Sequence, residues 1–170
     1  WRVDRGVTTA LYILSPLEPD CSQLVAEAGA AGTQARTLDY SPLLTSLDAG
    51  QLWAFRLAAN PSYSTSKGPG VRGQRYGHVT VEQQRQWLIE RTPRLGFELM
   101  PVDHADGEGT DEAVLVAHRE RPVFNRRRPG GGGYDRVTIN RTVYEGVMRI
   151  TDPESLCRAL VTGIGKSKAY

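Results

Sequence analysis

The chain has 170 residues, of which 39% are hydrophobic, 24% charged and 8% aromatic, and its formal net charge is +2. That length allows one domain or two small ones, and the composition excludes a mainly disordered or fibrous chain. No apolar run approaches the roughly 20 residues that span a bilayer, and no basic start with an apolar stretch and cleavage site marks a secretory signal. Cys21 and Cys157 lie far apart and make no zinc or redox spacing. A cytoplasmic protein with two small buried thiols is expected. The chain opens on Trp1 and stops at Tyr170 directly after a glycine-rich stretch, so it is expected to be part of a longer one.

Residues 8–14 (TTALYIL) form a short β-favouring run between Gly6 and Pro16 and read as a buried strand. Asp20 is placed to cap a helix over 21–28 that ends at Gly29, and residues 33–39 alternate weakly as a strand. Residues 41–50 carry the proline and small polar residues of a linker, which puts a boundary there and divides the chain into 1–48 and 49–170. From Gln51 the alternation sharpens: Trp53, Phe55 and Leu57 fall on one face of a strand and Arg56 on the other, with Asn60-Pro61 ending it. A loop over 62–70 leads to 71–79 (VRGQRYGHV), where Arg72, Arg75 and His78 sit among glycines. Thr80 and Gln83 have the spacing of a capping box for a helix through Arg91, with Val81, Trp87 and Leu88 on its apolar side. Strands are expected at 97–102 and 113–119, separated by an acidic loop, and then at 136–144. Before that last strand, Arg126, Arg127, Arg128 and Pro129 run into four glycines, the basic tip of a long hairpin. Asp152 and Pro153 open a final helix with Leu156 and Leu160 on its buried face and Gly163 at its end. From residue 51 the order is βαββα with a further strand expected past Tyr170, the ferredoxin-like arrangement of an α+β protein.

The 21 basic residues are 18 Arg and 3 Lys. Arg forms bidentate contacts with phosphates and stacks on bases, although a GC-rich genome also favours it. Residues 1–55 carry 3 basic and 6 acidic side chains, 56–94 carry 7 and 2, 95–118 carry 0 and 6, and 119–149 carry 8 and 3. Two basic blocks separated by acidic ones suggest segments that converge on a polyanion, and nucleic acid leads the partner classes. Arg126–Arg128 fit groove insertion as well as the protection of an edge strand. In the closing run, Gly163 could simply cap a helix, whereas Gly165, Lys166 and Lys168 fit a backbone that approaches phosphate. His78, His104 and His118 could each titrate near neutral pH, but each taken alone reads as structural. No metal-ligand spacing and no cofactor motif is present.

Three stretches, Phe55-Arg-Leu-Ala-Ala-Asn-Pro61, Tyr144-Glu-Gly-Val-Met-Arg-Ile-Thr-Asp-Pro153 and the loop 163–170, together resemble the CasE family of CRISPR RNA endoribonucleases of type I-E systems. The likeness runs through the chain in order, from Ser15-Pro-Leu-Glu-Pro-Asp20 onward. It implies tandem ferredoxin-like (RRM-like, βαββαβ) domains, the first incomplete here and the second lacking its last strand. It also implies binding of the repeat stem-loop of precursor CRISPR RNA and cleavage at the 3′ base of the stem, without a metal, by attack of a ribose 2′-hydroxyl. The mature RNA would then be held within Cascade, beside other subunits and especially its backbone subunit. Carried over by position, Arg56, Asn60 and Arg75 match the family's basic strand and following hairpin, Arg126 and Arg127 its groove-facing hairpin, and Gly163, Gly165 and Lys168 its glycine loop. Ala58 stands where family members often have a second Arg. The family's catalytic histidine lies on a helix upstream of the segment matching Trp1, so no catalytic residue is expected among the three histidines here. A noncatalytic module that only holds an RNA hairpin is the alternative from another class. A small-molecule-sensing ferredoxin-like domain is a further one, which the split basic blocks disfavour.

Overall fold

In the computed structural model the described residues are 2–5, 7–29, 32–68, 70, 73–103, 110–111, 114–128 and 130–165. The chain separates into two units, the first Trp1–Ser46 and the second beginning at Leu47.

The first unit holds β1 (Arg2–Arg5) paired antiparallel with β2 (Thr9–Tyr12), then α1 (Ser22–Ala28) and α2 (Ser41–Thr45). None of its described residues is buried. The run expected as a buried strand is instead exposed at Leu11, Tyr12, Ile13 and Leu14, because a two-stranded ribbon has no second layer to cover it. α1 begins at Ser22 with Cys21 in the cap position and no side-chain cap bond, so Asp20 stands one residue before the cap, where its Oδ1 accepts the Ser22 backbone N–H at 2.9 Å and the Ser22 hydroxyl at 2.5 Å. Residues 33–39, expected to form a strand, have no regular structure. Part of the expected linker is the short helix α2, since Pro42 is compatible with a first helical turn and Asp39 Oδ1 accepts the Ser41 N–H at 2.9 Å.

The second unit contains a four-stranded antiparallel sheet. β3 (Leu52–Ala59) pairs with the long β12 (Arg141–Ile150), whose other edge is shared by β6 (Phe97–Met100) and β9 (Leu115–Glu120). β6 takes the C-terminal half of β12, with Ile150 opposite Phe97, and β9 takes the N-terminal half, with Arg141 opposite Glu120. The two short strands thus act as one strand of the ferredoxin-like pattern, divided by 101–114, where β7 (Val102–Asp103) pairs with β8 (Thr110–Asp111). α3 (Val81–Ile89) and α4 (Pro153–Thr162) supply the helical layer. Two ribbons complete the unit: β4 (Ser62–Thr65) with β5 (Gln74–Gly77), and β10 (Val123–Arg127) with β11 (Tyr134–Thr138).

The core follows from the alternation. Phe55 and Leu57 pack on a buried cluster of Trp87, Leu88, Phe97, Tyr144, Ile150 and Leu156, while Trp53, expected on the same face, stays 36% exposed. Tyr144 is wholly buried, stacks on Trp87 with ring centroids 6.3 Å apart and donates its hydroxyl to the Gln84 carbonyl at 2.9 Å. Burial pushes its phenol well above the usual range. The Thr80–Gln83 capping box forms in both directions, and Asp152 accepts the N–H groups of Glu154 and Ser155. α3 stops at Ile89 rather than Arg91, and Val81 is exposed in it. In α4 Ala159, not Leu160, shares the buried face with Leu156. Gly96 is obligatory between the helical and sheet layers. It has φ +80°, and a Cβ there would stand 2.1 Å from the Asp152 carbonyl oxygen.

Two sequence expectations fail on strand pairing. Residues 62–65, read as loop, form β4 because Tyr63 faces Tyr76 across the ribbon with rings stacked at 5.7 Å. The single strand expected over 136–144 is two: the chain leaves its pairing with β10 after Thr138 and joins the sheet at Arg141. Period-two alternation runs unchanged through such a break.

Candidate nucleic-acid interface

The β10–β11 ribbon places its basic residues by register. Arg127 lies opposite Tyr134 and Asn125 opposite Arg136, so Asn125, Arg127, Tyr134 and Arg136 share one face. All four are exposed, and neither Arg127 nor Arg136 has a carboxylate partner among the described residues. Arg126 falls on the other face with Asp135, and Arg128 is tied to Asp135 through Nε at 2.7 Å. The expected triplet Arg126–Arg128 is therefore split. Asn125, Tyr134 and Arg136 were missed as site residues because only the register shows that they share a face with Arg127.

Elsewhere much of the positive charge is answered within the sheet. Arg56 projects from the face of β3 opposite the core and pairs with Glu145 of β12 at 3.1 Å. Arg149 pairs with Glu98 at 3.0 Å, and Arg141 with Glu120. Glu98 comes from the acidic block and Arg149 from a basic one, so segments of opposite charge in sequence neutralise each other in space. Asn60 accepts the Asn140 N–H at 3.3 Å, which ties the end of β3 to the start of β12.

His78 is built into the fold. Its ring lies 5.1 Å from Tyr63, its backbone N–H donates to the Pro61 carbonyl at 2.9 Å, its backbone carbonyl accepts from Gln84 at 2.9 Å, and its ring Nδ1 is buried without a hydrogen-bond partner. Burial first, and the charge of Arg91 second, hold its pKa below the ordinary histidine value. His118 stands 3.9 Å from Glu120 on an exposed stretch of β9. Among the described residues no group of three or more His, Cys, Asp and Glu side chains is placed to hold a metal ion. Gly163 ends α4 with φ +75°, and Gly165, with φ +86°, lies against the Trp87 indole. His104, Arg72, Lys166 and Lys168 lie outside the described residues, as does the side chain of Arg75.

A profile of the family described as CRISPR associated protein matches residues 1–170. The chain belongs to this CRISPR-associated family. It is 27% identical over 172 aligned positions to the CRISPR-associated endoribonuclease Cse3 of Thermus thermophilus, covering 99% of this chain and 74% of that protein. Two solved structures share the family fold. One is the CRISPR endoribonuclease Cse3 bound to a 19-nucleotide RNA, with TM-score 0.54 and 24% identity over 72% of this chain and 53% of that one. The other is a chain of a CRISPR RNA-guided surveillance complex in a pre-nicking state, with TM-score 0.53 and 22% identity over 98% of this chain and 70% of that one. The match thus spans about half of the RNA-bound Cse3 chain. The fold is α+β and ferredoxin-like, with mixed helices and antiparallel sheet.

Proposed function

We propose that the chain is the RNA-gripping part of a metal-independent endoribonuclease that binds the repeat stem-loop of precursor CRISPR RNA and cuts at the 3′ base of its stem. The observation that carries this reading is the β10–β11 face of Arg127, Arg136, Asn125 and Tyr134, two exposed guanidiniums without a carboxylate partner among the described residues, beside an amide and an exposed aromatic ring. Guanidiniums hold phosphates and groove edges, and an aromatic ring stacks on an unpaired base. Family membership and the likeness to an RNA-bound Cse3 support the same reading. In the reaction a 2′-oxygen bonds to the adjacent phosphorus as the 5′-oxygen leaves. A base takes the 2′ proton and an acid returns one to the leaving oxygen, giving a 2′,3′-cyclic phosphate and a 5′-hydroxyl.

This reading assigns none of the chain's described histidines to that proton transfer. The His78 ring packs against Tyr63 with its Nδ1 buried and unpartnered, the bonds to Pro61 and Gln84 are made by its backbone, and His118 stands beside Glu120. The resemblance puts the catalytic histidine upstream of Trp1, and Arg56, Asn60, Arg75, Gly163 and Gly165 remain proposed RNA contacts. The partners proposed are the repeat stem-loop and the Cascade subunits, the backbone subunit above all. No helix of the described residues is long and apolar enough to cross a membrane, and the cytoplasm is the proposed site of action.

The test is a cleavage gel with a repeat hairpin, with and without chelator, on this chain and on a longer one that includes the upstream helix. Chelator-resistant cleavage by the longer chain alone is expected. Cleavage by residues 1–170 that is abolished by His78→Ala would overturn the placement of the chemistry.

A further inference from the structure

The helical side of the second unit carries a cleft of about 310 Å³ between the end of α3, the turn after it and α4. Three of its lining residues are arginines, Arg91, Arg94 and Arg158, and none is acidic. Ser155 and Thr162 add hydroxyls, and Gly165 closes one side. We propose that this cleft binds one phosphate group.

Several features support a built anion site. Arg91 is held in place: Nη1 donates to the Trp87 carbonyl at 2.6 Å and the guanidinium lies 4.3 Å from the Trp87 ring centroid. That leaves most of its five N–H donors for a ligand. Burial first and the nearby charge of Arg94 second work against the charged form of Arg91, a like-charge cost that an anion between the two would relieve. Arg158 keeps an exposed ion pair with Glu154 at 2.8 Å, which holds it weakly. The C-terminal ends of α3 and α4 oppose an anion with only about half a charge each, less than the three guanidiniums supply. The cleft is at the small end for organic ligands, and a charged wall does not suit an apolar one.

The glycine loop that the RNA reading gives a backbone-binding role is continuous with this cleft through Gly163 and Gly165. The proposal therefore deepens that reading for an RNA phosphate, while a free phosphate ion would need only the cleft. The test uses Arg94→Gln with Arg158→Gln, both exposed, checked for an unchanged melting temperature. Inorganic phosphate is titrated by ³¹P line broadening, and the salt dependence of repeat-hairpin binding is measured beside it. Phosphate affinity is expected to fall about tenfold or more in the double variant. If the hairpin's log–log salt slope also becomes shallower, by roughly 0.7–0.9 for each RNA phosphate no longer neutralised, the phosphate comes from RNA. An unchanged slope with weakened phosphate affinity assigns the site to the free ion. If the unaltered chain shows no phosphate binding and the double variant no change toward RNA, the proposal falls. It falls equally if the variant loses only affinity for an acidic peptide. Arg127→Ala with Arg136→Ala should leave inorganic phosphate affinity intact, which separates failure of the cleft from failure of the RNA reading.

Discussion

Replacing Arg127 and Arg136 together by alanine tests the β10–β11 face directly. Each side chain is exposed and without a carboxylate partner among the described residues, so the fold should keep its melting temperature while two RNA phosphates go unneutralised. Each such phosphate contributes roughly 0.7–0.9 to the log–log salt slope, so the slope should become shallower by about 1.4–1.8. Over a fourfold rise in salt, affinity would then fall roughly seven- to twelvefold less than in the unaltered protein. Arg128→Ala is the internal contrast. Arg128 is already tied to Asp135 at 2.7 Å, so a phosphate must compete with a carboxylate for it, and its slope change should stay below about 0.7. Filter binding to a repeat hairpin across a salt series reads both variants. An unchanged slope in the double variant, or an Arg128→Ala effect as large, would show that the register does not choose the RNA face.

Tyr144→Phe removes a buried hydroxyl and leaves the Gln84 carbonyl without that donor, so it should cost about 1–2 kcal/mol and lower the melting temperature by roughly 2–8 °C while RNA affinity per folded molecule is unchanged. His78 predicts a pH dependence. Its folded pKa is depressed, so the unfolded chain takes up the proton first, and stability should fall as pH drops below about 6.5 toward the folded value. Melting curves at pH 7.5 and 5.5 should separate by less in His78→Gln than in the unaltered chain, and an equal separation would assign the pH effect to other groups.

What was readable in the sequence was what depends on near neighbours. The capping box at Thr80 and Gln83, the Asp152-Pro153 helix start and the alternation of Phe55 and Leu57 each need only a few residues of context, and each is present. Register is different in kind. Whether residues 62–65 form a strand depends on Tyr63 meeting Tyr76, and whether Arg136 joins a site depends on Asn125 lying opposite it. Leu160 and Ala159 differ by one position on α4, and the tight approach of Gly96 to Asp152, which no periodicity encodes, helps set how the helix meets the sheet.

Charge shows the same limit most clearly. Counting along the chain separates basic from acidic blocks, and it treats every arginine in a block as available to a polyanion. The antiparallel sheet undoes part of that separation, because β12 brings Glu145 beside Arg56 and Arg149 beside Glu98. Exposed pairs of this kind add little stability, about 0–1 kcal/mol each, but they lower the positive potential of the sheet face that topology alone would nominate for RNA. The second unit's stronger anion-binding candidates are consequently off the sheet. One is a ribbon whose register turns Arg127 and Arg136 away from Asp135, and the other is a cleft where Trp87 holds Arg91 beside Arg94. In both places the useful property is a pair of guanidiniums without a carboxylate ion pair among the described residues, Arg127 with Arg136 set by strand register and Arg91 with Arg94 set by the end of α3 and the turn after it.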